Sequence, residues 1–414
     1  MKYCSNCLYP SNHPLNLTYD DNNICSGCRV HEEKDQLNWD QRLKKLKRIC
    51  EPYKNSNRSI NNCIVPVSGA RDSYFIVHIV KNILGMNPLL VTYNKHYNTK
   101  LGIRNLSYLK TIFGCPLFTM TVGPERVKTI TRQTIKSLGS IYWHCIAGQT
   151  AFPVQIAYKF KIPLIIWGAH QGVDQVGMFS HTDEVEMTRK YRKEHDLMGY
   201  EAEDFINLGA LEERDLQNYL YPHDKEIEAV GIRGLYLNNY LRWDSKSQHE
   251  KMIRSYGYET EKQLRTFDTY NDVDCFHYSG LHDYIKFLKY GYSKVTDHAS
   301  REIRLKRLTR YDGIKLIKRY SNIMPKDKNL FLDWLGIDFK ELIKNVNKFR
   351  SKDIWEKNNN KWNLKDEIFN NKNSHPLGSN SLNKVEKCIF NSNSKRFNEN
   401  EIGKYTLIGK GYFK

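Results

Sequence analysis

Four cysteines stand in two pairs near the start of the chain, Cys4-x2-Cys7 and Cys25-x2-Cys28, with seventeen residues between the pairs. Each pair brings two thiolates to one side of a tight turn, and two such turns complete a closed tetrahedral site of the zinc-ribbon kind. Asn6 and Gly27 suit the backbone angles such turns need. A closed site keeps no position for water, so the Zn2+ expected at Cys4, Cys7, Cys25 and Cys28 is structural. The segment is poor in apolar residues, and metal binding, worth about 10–16 kcal/mol in isolated fingers, is what would fold it. Disulfides and a redox CxxC are the competing readings, disfavoured by an intracellular setting and by the doubled pair. The other cysteines, Cys50, Cys63, Cys115, Cys145, Cys275 and Cys388, form no further CxxC and read as buried thiols.

A second chemical signal is the run Val65-Pro66-Val67-Ser68-Gly69-Ala70-Arg71-Asp72-Ser73. It follows an apolar run and opens a helical pattern, so its backbone N–H groups form an anion cradle at a helix N-terminus. Ser68 and Ser73 add hydroxyl donors, Arg71 adds charge, and Asp72 can hold Mg2+ or cap the helix. No G-x4-G-K-[ST] is present, which excludes a kinase-type P-loop. The run resembles the SGGxDS signature of the PP-loop ATP pyrophosphatases, which bind the pyrophosphate of ATP while adenylating a carbonyl-type oxygen. Ala70 stands where that signature has its second glycine. If the position needs positive φ or close phosphate approach, its methyl group costs about 1 kcal/mol and weakens ATP binding.

These groups need a scaffold to hold them. Cys63–Val67, Pro88–Tyr93, Pro116–Val122 and Pro163–Gly168 are short apolar or extended runs, while Asp72–Leu84, Leu101–Phe113, Glu125–Leu138 and Pro153–Phe160 carry helical periodicity. The alternation predicts an α/β fold, a parallel sheet with helices on both faces. After Gly168 it stops. Gln171–His181 reads as loop, Glu184–Leu220 as mostly helical, and helices are expected over Leu281–Tyr290, His298–Leu308 and Phe339–Phe349. The resulting division is a zinc ribbon (1–36), a linker helix (37–58), a PP-loop core (59–180), a mainly helical substrate or partner region (181–350) and an Asn/Lys-rich, loosely ordered tail (351–414).

Among 414 residues, 64 Lys and Arg against 46 Asp and Glu give a net charge of +18. That invites a nucleic-acid reading. Yet part of the excess sits in the Asn/Lys-rich tail, and screening over about 8 Å makes local clusters matter more than the total. No nucleic-acid partner is expected. No apolar run is long enough to cross a bilayer, and the opening Met-Lys-Tyr-Cys lacks a signal-peptide stretch, so a cytoplasmic protein without membrane insertion is expected.

The opening CxxCLYP, Cys63-Ile-Val-Pro-Val-Ser-Gly, Pro88-Leu-Leu-Val-Thr and Trp143-His144 together resemble the N-acetyl sugar amidotransferases. So do Ile162-Pro-Leu-Ile-Ile-Trp-Gly168, Arg242-Trp-Asp244 and His282-Asp-Tyr-Ile-Lys-Phe-Leu-Lys-Tyr-Gly291. The resemblance runs from Met1 to about Phe349. That family serves bacterial surface-polysaccharide and flagellar sugar synthesis, on pseudaminic-, legionaminic- or mannuronic-type sugars. It implies ATP-dependent conversion of an N-acetyl group to an acetamidino group, releasing AMP and pyrophosphate. By resemblance, Ser68, Gly69, Asp72 and Ser73 grip pyrophosphate and Mg2+. Thr92 and Gly168, at strand carboxyl ends, lie where nucleotides bind in open sheets. No glutaminase nucleophile is evident, so a partner glutaminase with a cyclase-like conduit subunit is expected to supply ammonia. Two alternatives stay open: a tRNA-thiolating enzyme using Cys145 or Cys275 as lone sulfur carrier, and a scaffold with a degenerate loop.

The second half carries the candidates for sugar recognition: His170, Asp174, His181, Arg242, Asp244, His277, His282, Asp283, Lys286, Asp297, Arg301 and Arg304. His282, Lys286 and Lys289 share one helical face, as do Asp297, Arg301 and Arg304. With Tyr278, Tyr284 and Tyr290 they read as a polar pocket for an anionic or nucleotide-linked sugar. His144, after Trp143 and near the sheet, is the candidate for acid–base help or positioning beside Ser68 and Asp72.

Overall fold

The computed structural model describes residues 1–15, 17–54, 60–70, 72–369 and 388–392. Arg71 and most of the Asn-rich tail lie outside the described residues. The centre is a five-stranded parallel sheet in the order β3-β2-β1-β4-β5, made of β1 (Cys63–Pro66), β2 (Pro88–Tyr93), β3 (Leu117–Met120), β4 (Leu164–Trp167) and β5 (Arg233–Tyr236). Successive side chains on a strand point to opposite faces, and the packing follows that rule. Val65, Leu90, Leu164 and Ile166 join one core with Tyr74, Val77, Val80 and Leu109. Ile64, Leu89, Val91 and Ile165 join another with Ala151, Val154 and Ala157. Both faces are covered, which is why these strands are near-continuous apolar runs rather than alternating ones.

Helices α1 (Ser26–Glu33) and α2 (Trp39–Lys54) precede the sheet, and α3 (Ser73–His78), α4 (Lys100–Phe113), α5 (Pro124–Leu138) and α6 (Trp143–Phe160) connect its first four strands. The helix expected from Pro153 begins ten residues earlier, at Trp143, with Pro153 inside it. Gly148 permits this packing, since a Cβ there would sit 2.4 Å from the ring of Tyr93.

Two expectations from the sequence are corrected. The alternation does not end at Gly168: β5 pairs with β4 in parallel register, Ile165 opposite Gly234, after a long excursion of short helices. A four-residue strand so far from its partner leaves almost no periodic signal. The tail is also structured at its start. Trp355–Asn358 and Lys361–Leu364 form an antiparallel hairpin, with Ile354 and Trp355 buried in the same core as Leu281, Ile285 and Leu288.

The switch in strand order falls at β1, whose neighbours β2 and β4 run to opposite sides. Ligands in open α/β sheets bind outside the carboxyl ends at such a point. Here that edge is covered by the helices Phe276–Tyr290 and Lys294–Arg304.

Candidate active site and metal centre

Cys4, Cys7, Cys25 and Cys28 are all buried, and their sulfurs lie within 4.8 Å of one another. Zn–S bonds of about 2.3 Å in a tetrahedron separate sulfurs by about 3.8 Å. The pairs Cys4–Cys28 and Cys7–Cys25 stand at 3.9 and 3.6 Å, so the donor set fits zinc. Backbone N–H groups of Cys7 and Cys25 donate to Cys4 Sγ at 3.4 and 3.3 Å, as thiolate-turn amides do. Four thiolates around Zn2+ carry a net charge of −2, and the partner is Arg304. Its Nε donates to Cys28 Sγ (3.4 Å) and its Nη2 to Cys25 Sγ (3.5 Å), while Nη1 donates to the Gln175 carbonyl at 2.6 Å. Gly27 is required by this contact, because a Cβ there would lie 2.3 Å from Arg304 Nη2.

The loop after β1 is cross-braced by its serines. Ser73 Oγ donates to the Ala70 carbonyl (2.8 Å) and accepts from the Ser68 N–H (3.1 Å), and Ser68 Oγ accepts from the Ala70 N–H (3.3 Å). Gly69 sits at φ +78°, with the site of a Cβ only 2.8 Å from Leu106 N, so both backbone and space demand glycine. Ala70 is different. It is fully buried, and the non-glycine residues at positive φ among those described do not include it. The methyl therefore packs into the core without the backbone strain the sequence raised. Asp72 is the N-cap of α3, and a Cβ on Gly168 would come within 3.6 Å of its Oδ2, so β4 ends directly against it.

One cavity of about 700 Å3 joins this loop to the roof helices, a volume suited to a small-molecule ligand. Ser68, Ala70, Asp72, Ser73, Gly168, His170, Asp174, His282, Asp283, Lys286, Arg301 and Arg304 all line it. Its charges are mostly paired internally. Lys286 contacts Asp297 at 2.6 Å, Asp174 contacts Lys34 at 2.5 Å, and Asp283 accepts from Arg265 at 2.7 Å. Arg301 bridges Asp268 (2.9 Å) and Glu302 (2.7 Å). The cations expected to meet an acidic sugar thus have carboxylates of their own, and Arg304 faces the thiolates. His282 stacks on Tyr142 at 4.6 Å, and burial lowers its pKa to about 4, as it does for His170. Both rings are neutral.

Other expected residues lie elsewhere. His144 is buried off the cavity, its Nδ1 3.0 Å from Tyr93 Oη and its Nε2 3.2 Å from Tyr278 Oη, with burial lowering its pKa to about 3. That environment makes it a core hydrogen-bond link. Thr92 is buried, and its neighbours Val91 and Tyr93 face the cavity instead. Arg242 reaches Asp35 at the surface, and Asp244 caps the helix Ser245–Tyr256 while pairing with Arg307 at 2.8 Å. His181 is spent on Glu33. The side chain of His277, like Arg71, lies outside the described residues.

The sequence reading missed Lys95, Tyr142, Asp196 and Lys294, all of which line the cavity. Lys95 is buried against Asp274 (2.6 Å) and Cys275 Sγ (3.3 Å). Its place just beyond the carboxyl end of β2 was the available signal. Asp196 sits in an irregular stretch with no such signal.

A family model described as LPS biosynthesis protein WbpG-like, C-terminal domain, matches residues 261–368. Comparison with curated protein sequences returns no match. Among solved structures, the NH3-dependent NAD synthetase from Campylobacter jejuni in complex with nitrate is similar at 17% identity. The match covers 47% of this chain and 92% of that one, with a TM-score of 0.27. The matched family segment contains His282, Asp283, Lys286, Arg301 and Arg304, so the cavity roof belongs to it. Residues 261–368 are thus similar to the WbpG-like C-terminal domain, and they lie over a parallel α/β sheet that carries the Ser68–Ser73 turn and a tetracysteine centre.

Proposed function

We propose that this chain is an ATP-dependent amidotransferase that converts an N-acetyl group of a bacterial surface sugar to an acetamidino group. The observation that carries the reading is the single cavity running from the Ser68–Ser73 loop to the polar roof of the WbpG-like segment. A phosphate cradle and a hydrogen-bonding wall in one shared cavity suit a reaction in which ATP activates a polar acceptor.

An acetamide is a poor electrophile because its nitrogen donates into the carbonyl. In the proposed reaction the amide oxygen attacks the α-phosphorus of ATP, and the bond to pyrophosphate breaks. The loop amides and the Ser68 and Ser73 hydroxyls hold the departing pyrophosphate at the helix N-terminus. Asp72 would hold Mg2+, which neutralises phosphate charge when bound. Ammonia then attacks the activated carbon, the C–O bond breaks, and AMP leaves. His282, on Tyr142, and the Lys286–Asp297 pair supply donors and acceptors that orient the sugar. Ammonia would come from a partner glutaminase through a cyclase-like conduit subunit, and use of ATP sets the reaction in the cytoplasm. Zn2+ at the four cysteines is structural.

Sulfur transfer fits less well. Among the described residues no cysteine lines the cavity. Burial pushes the Cys145 thiol up to about 12 and raises that of Cys275, so neither is a ready sulfur nucleophile.

The test is pyrophosphate exchange by the full chain with Mg2+ and ATP, against a panel of free and nucleotide-linked acetamido sugars. Exchange dependent on one sugar is expected, followed by replacement of oxygen by NH in that sugar when ammonium chloride is added. Exchange stimulated by tRNA instead, or by nothing, would sink the proposal.

A further inference from the structure

The cavity contains a corner that the reaction above does not use. It lies over the carboxyl ends of β4 and β5 and is lined by Trp167, His170, Tyr191, His195, Asp196 and Tyr236. The His170 ring packs 4.1 Å from Tyr191 and 4.6 Å from Tyr236, centroid to centroid, and Tyr191 packs 4.8 Å from His195. His170 is 1% exposed, yet among the described residues neither of its ring nitrogens has a hydrogen-bond partner. A buried polar group without a partner is costly, and such groups call for an explanation. Asp196 accepts no hydrogen bond and forms no ion pair among the described residues. The nearby cation, Arg192, is already engaged by Glu201.

These features select one kind of ligand. Of the cavity's other aspartates, Asp72 belongs to the loop after β1, and Asp174, Asp272, Asp274, Asp283 and Asp297 each have an ion-pair partner. Away from the Ser68–Ser73 loop, and among the described residues, this corner sets a carboxyl with no ion-pair partner among aromatic rings. Aromatic faces attract compact cations, and a carboxylate and an imidazole nitrogen accept N–H bonds. Divalent magnesium is a poor fit, because it demands an octahedron of oxygens that keeps most of its waters. A small cation with N–H donors satisfies the carboxylate and the accepting nitrogen of the imidazole while lying against the rings.

We infer that the His170–Tyr191–Asp196–Tyr236 corner binds ammonium and is where the nitrogen of the proposed reaction is received and deprotonated. The inference rests on the amidotransferase reading. In the step, an N–H bond of ammonium breaks and its proton passes to the Asp196 carboxylate. The freed electron pair forms the C–N bond to the adenylated amide carbon. The C–O bond breaks towards AMP, and a second proton passes from the entering nitrogen to the former amide nitrogen, leaving the product as acetamidinium. Burial lifts the Asp196 carboxyl to about 7, so it can take up and return a proton near neutral pH.

The experiment follows isotopically labelled ammonium chloride by NMR in the presence of the full chain, without sugar. Wild type broadens the ammonium signal. The Asp196→Asn protein, shown folded by unfolding midpoint and zinc content, loses about tenfold in affinity. Tyr236→Leu, which removes a ring face but no charge, carries the same test should Asp196→Asn fail to fold. Equal broadening by wild type and both variants would overturn the assignment. So would displacement by an equimolar amount of potassium, which marks a generic cation site. Either result leaves sugar-dependent pyrophosphate exchange intact, whereas loss of that exchange in wild type would remove the reaction itself.

Discussion

Arg304 donates to Cys28 Sγ at 3.4 Å across 276 residues of sequence, and the same guanidinium holds the Gln175 carbonyl at 2.6 Å. Gln175 in turn donates to Asp297 (3.1 Å), the partner of Lys286. The tetracysteine centre is thereby built into the wall of the cavity. Ser26 Oγ bonds the Val176 carbonyl at 2.7 Å, and a Cβ on Gly177 would collide with Ser26 O at 2.3 Å, so the two surfaces meet without a gap.

Replacing Arg304 by Ala leaves a buried, negatively charged tetrathiolate centre without its cation. Loss of about 3–5 kcal/mol of stability is expected, with partial retention in Arg304→Lys. Denaturant unfolding of zinc-loaded protein measures it. A midpoint unchanged in the Ala variant would show that Arg304 is not the counter-ion. Chelation of zinc should likewise unfold the first segment and expose the 171–178 loop to proteolysis.

Gly69→Ala places a side chain at φ +78° and against Leu106. A cost of about 1–3 kcal/mol and a loss of nucleotide binding are expected, read by thermal unfolding and nucleotide titration. Ala70→Gly should bring no gain in nucleotide affinity, because Ala70 is buried and free of positive-φ strain. It should lose about 0.5–1 kcal/mol through added freedom of the unfolded chain. A tighter nucleotide complex in Ala70→Gly would instead show that the methyl obstructs the phosphates.

Histidines whose pKa is lowered by burial give stability a pH dependence. Burial lowers His144 to about 3 and His170, His282 and His298 to about 4. In the unfolded chain each takes its proton near about 6.5. Their contribution is therefore full above that value and is lost as pH falls from 6.5 towards 4, because only the unfolded state binds the protons. Urea midpoints measured across that range should fall steadily, and His282→Gln should flatten the fall.

Asp196 works in the opposite sense. Burial lifts its carboxyl from 3.8 to about 7, so the folded state holds a proton that the unfolded state has already released. Its neutral form favours the fold below about pH 4, and that advantage disappears as pH rises through 7. Asp196→Asn should accordingly raise the unfolding midpoint at pH 8 and leave it nearly unchanged at pH 4.

Lys95 and Asp274 form a buried pair at 2.6 Å on the cavity wall. Lys95→Met strands the carboxylate, and about 3–5 kcal/mol should be lost. The double variant Lys95→Met/Asp274→Leu should recover part of it. Additive losses in the cycle would mean the two side chains are not coupled.

Local chemistry was legible wherever one short segment contains all of it. The CxxC pairs, the Ser68–Ser73 loop and the apolar runs of β1, β2 and β4 declared themselves, because two thiolates on a turn or a buried strand need only neighbours in sequence. Roof residues such as His282, Lys286 and Asp297 were legible as helical faces. What those faces meet was not. Arg301 and Arg304 read alike on one helix, yet one turns to Asp268 and the other to the cysteines. His144 looked available and is locked between Tyr93 and Tyr278, while Lys95 and Asp196 carried no pattern that set them apart.

The sequence by itself determined the tetracysteine cluster, the Ser68–Ser73 turn after the first strand and the alternation that makes a parallel sheet, since each is fixed by residue types at short spacing. Only the tertiary structure decided that β5 completes the sheet. It also decided that the cavity's lysines and arginines are already paired, and that Asp196 and His170 are left open in one aromatic corner. The physical reason is that pairing and burial depend on distances between segments far apart in the chain. A charge or an imidazole has its ordinary properties until the fold supplies, or withholds, its partner.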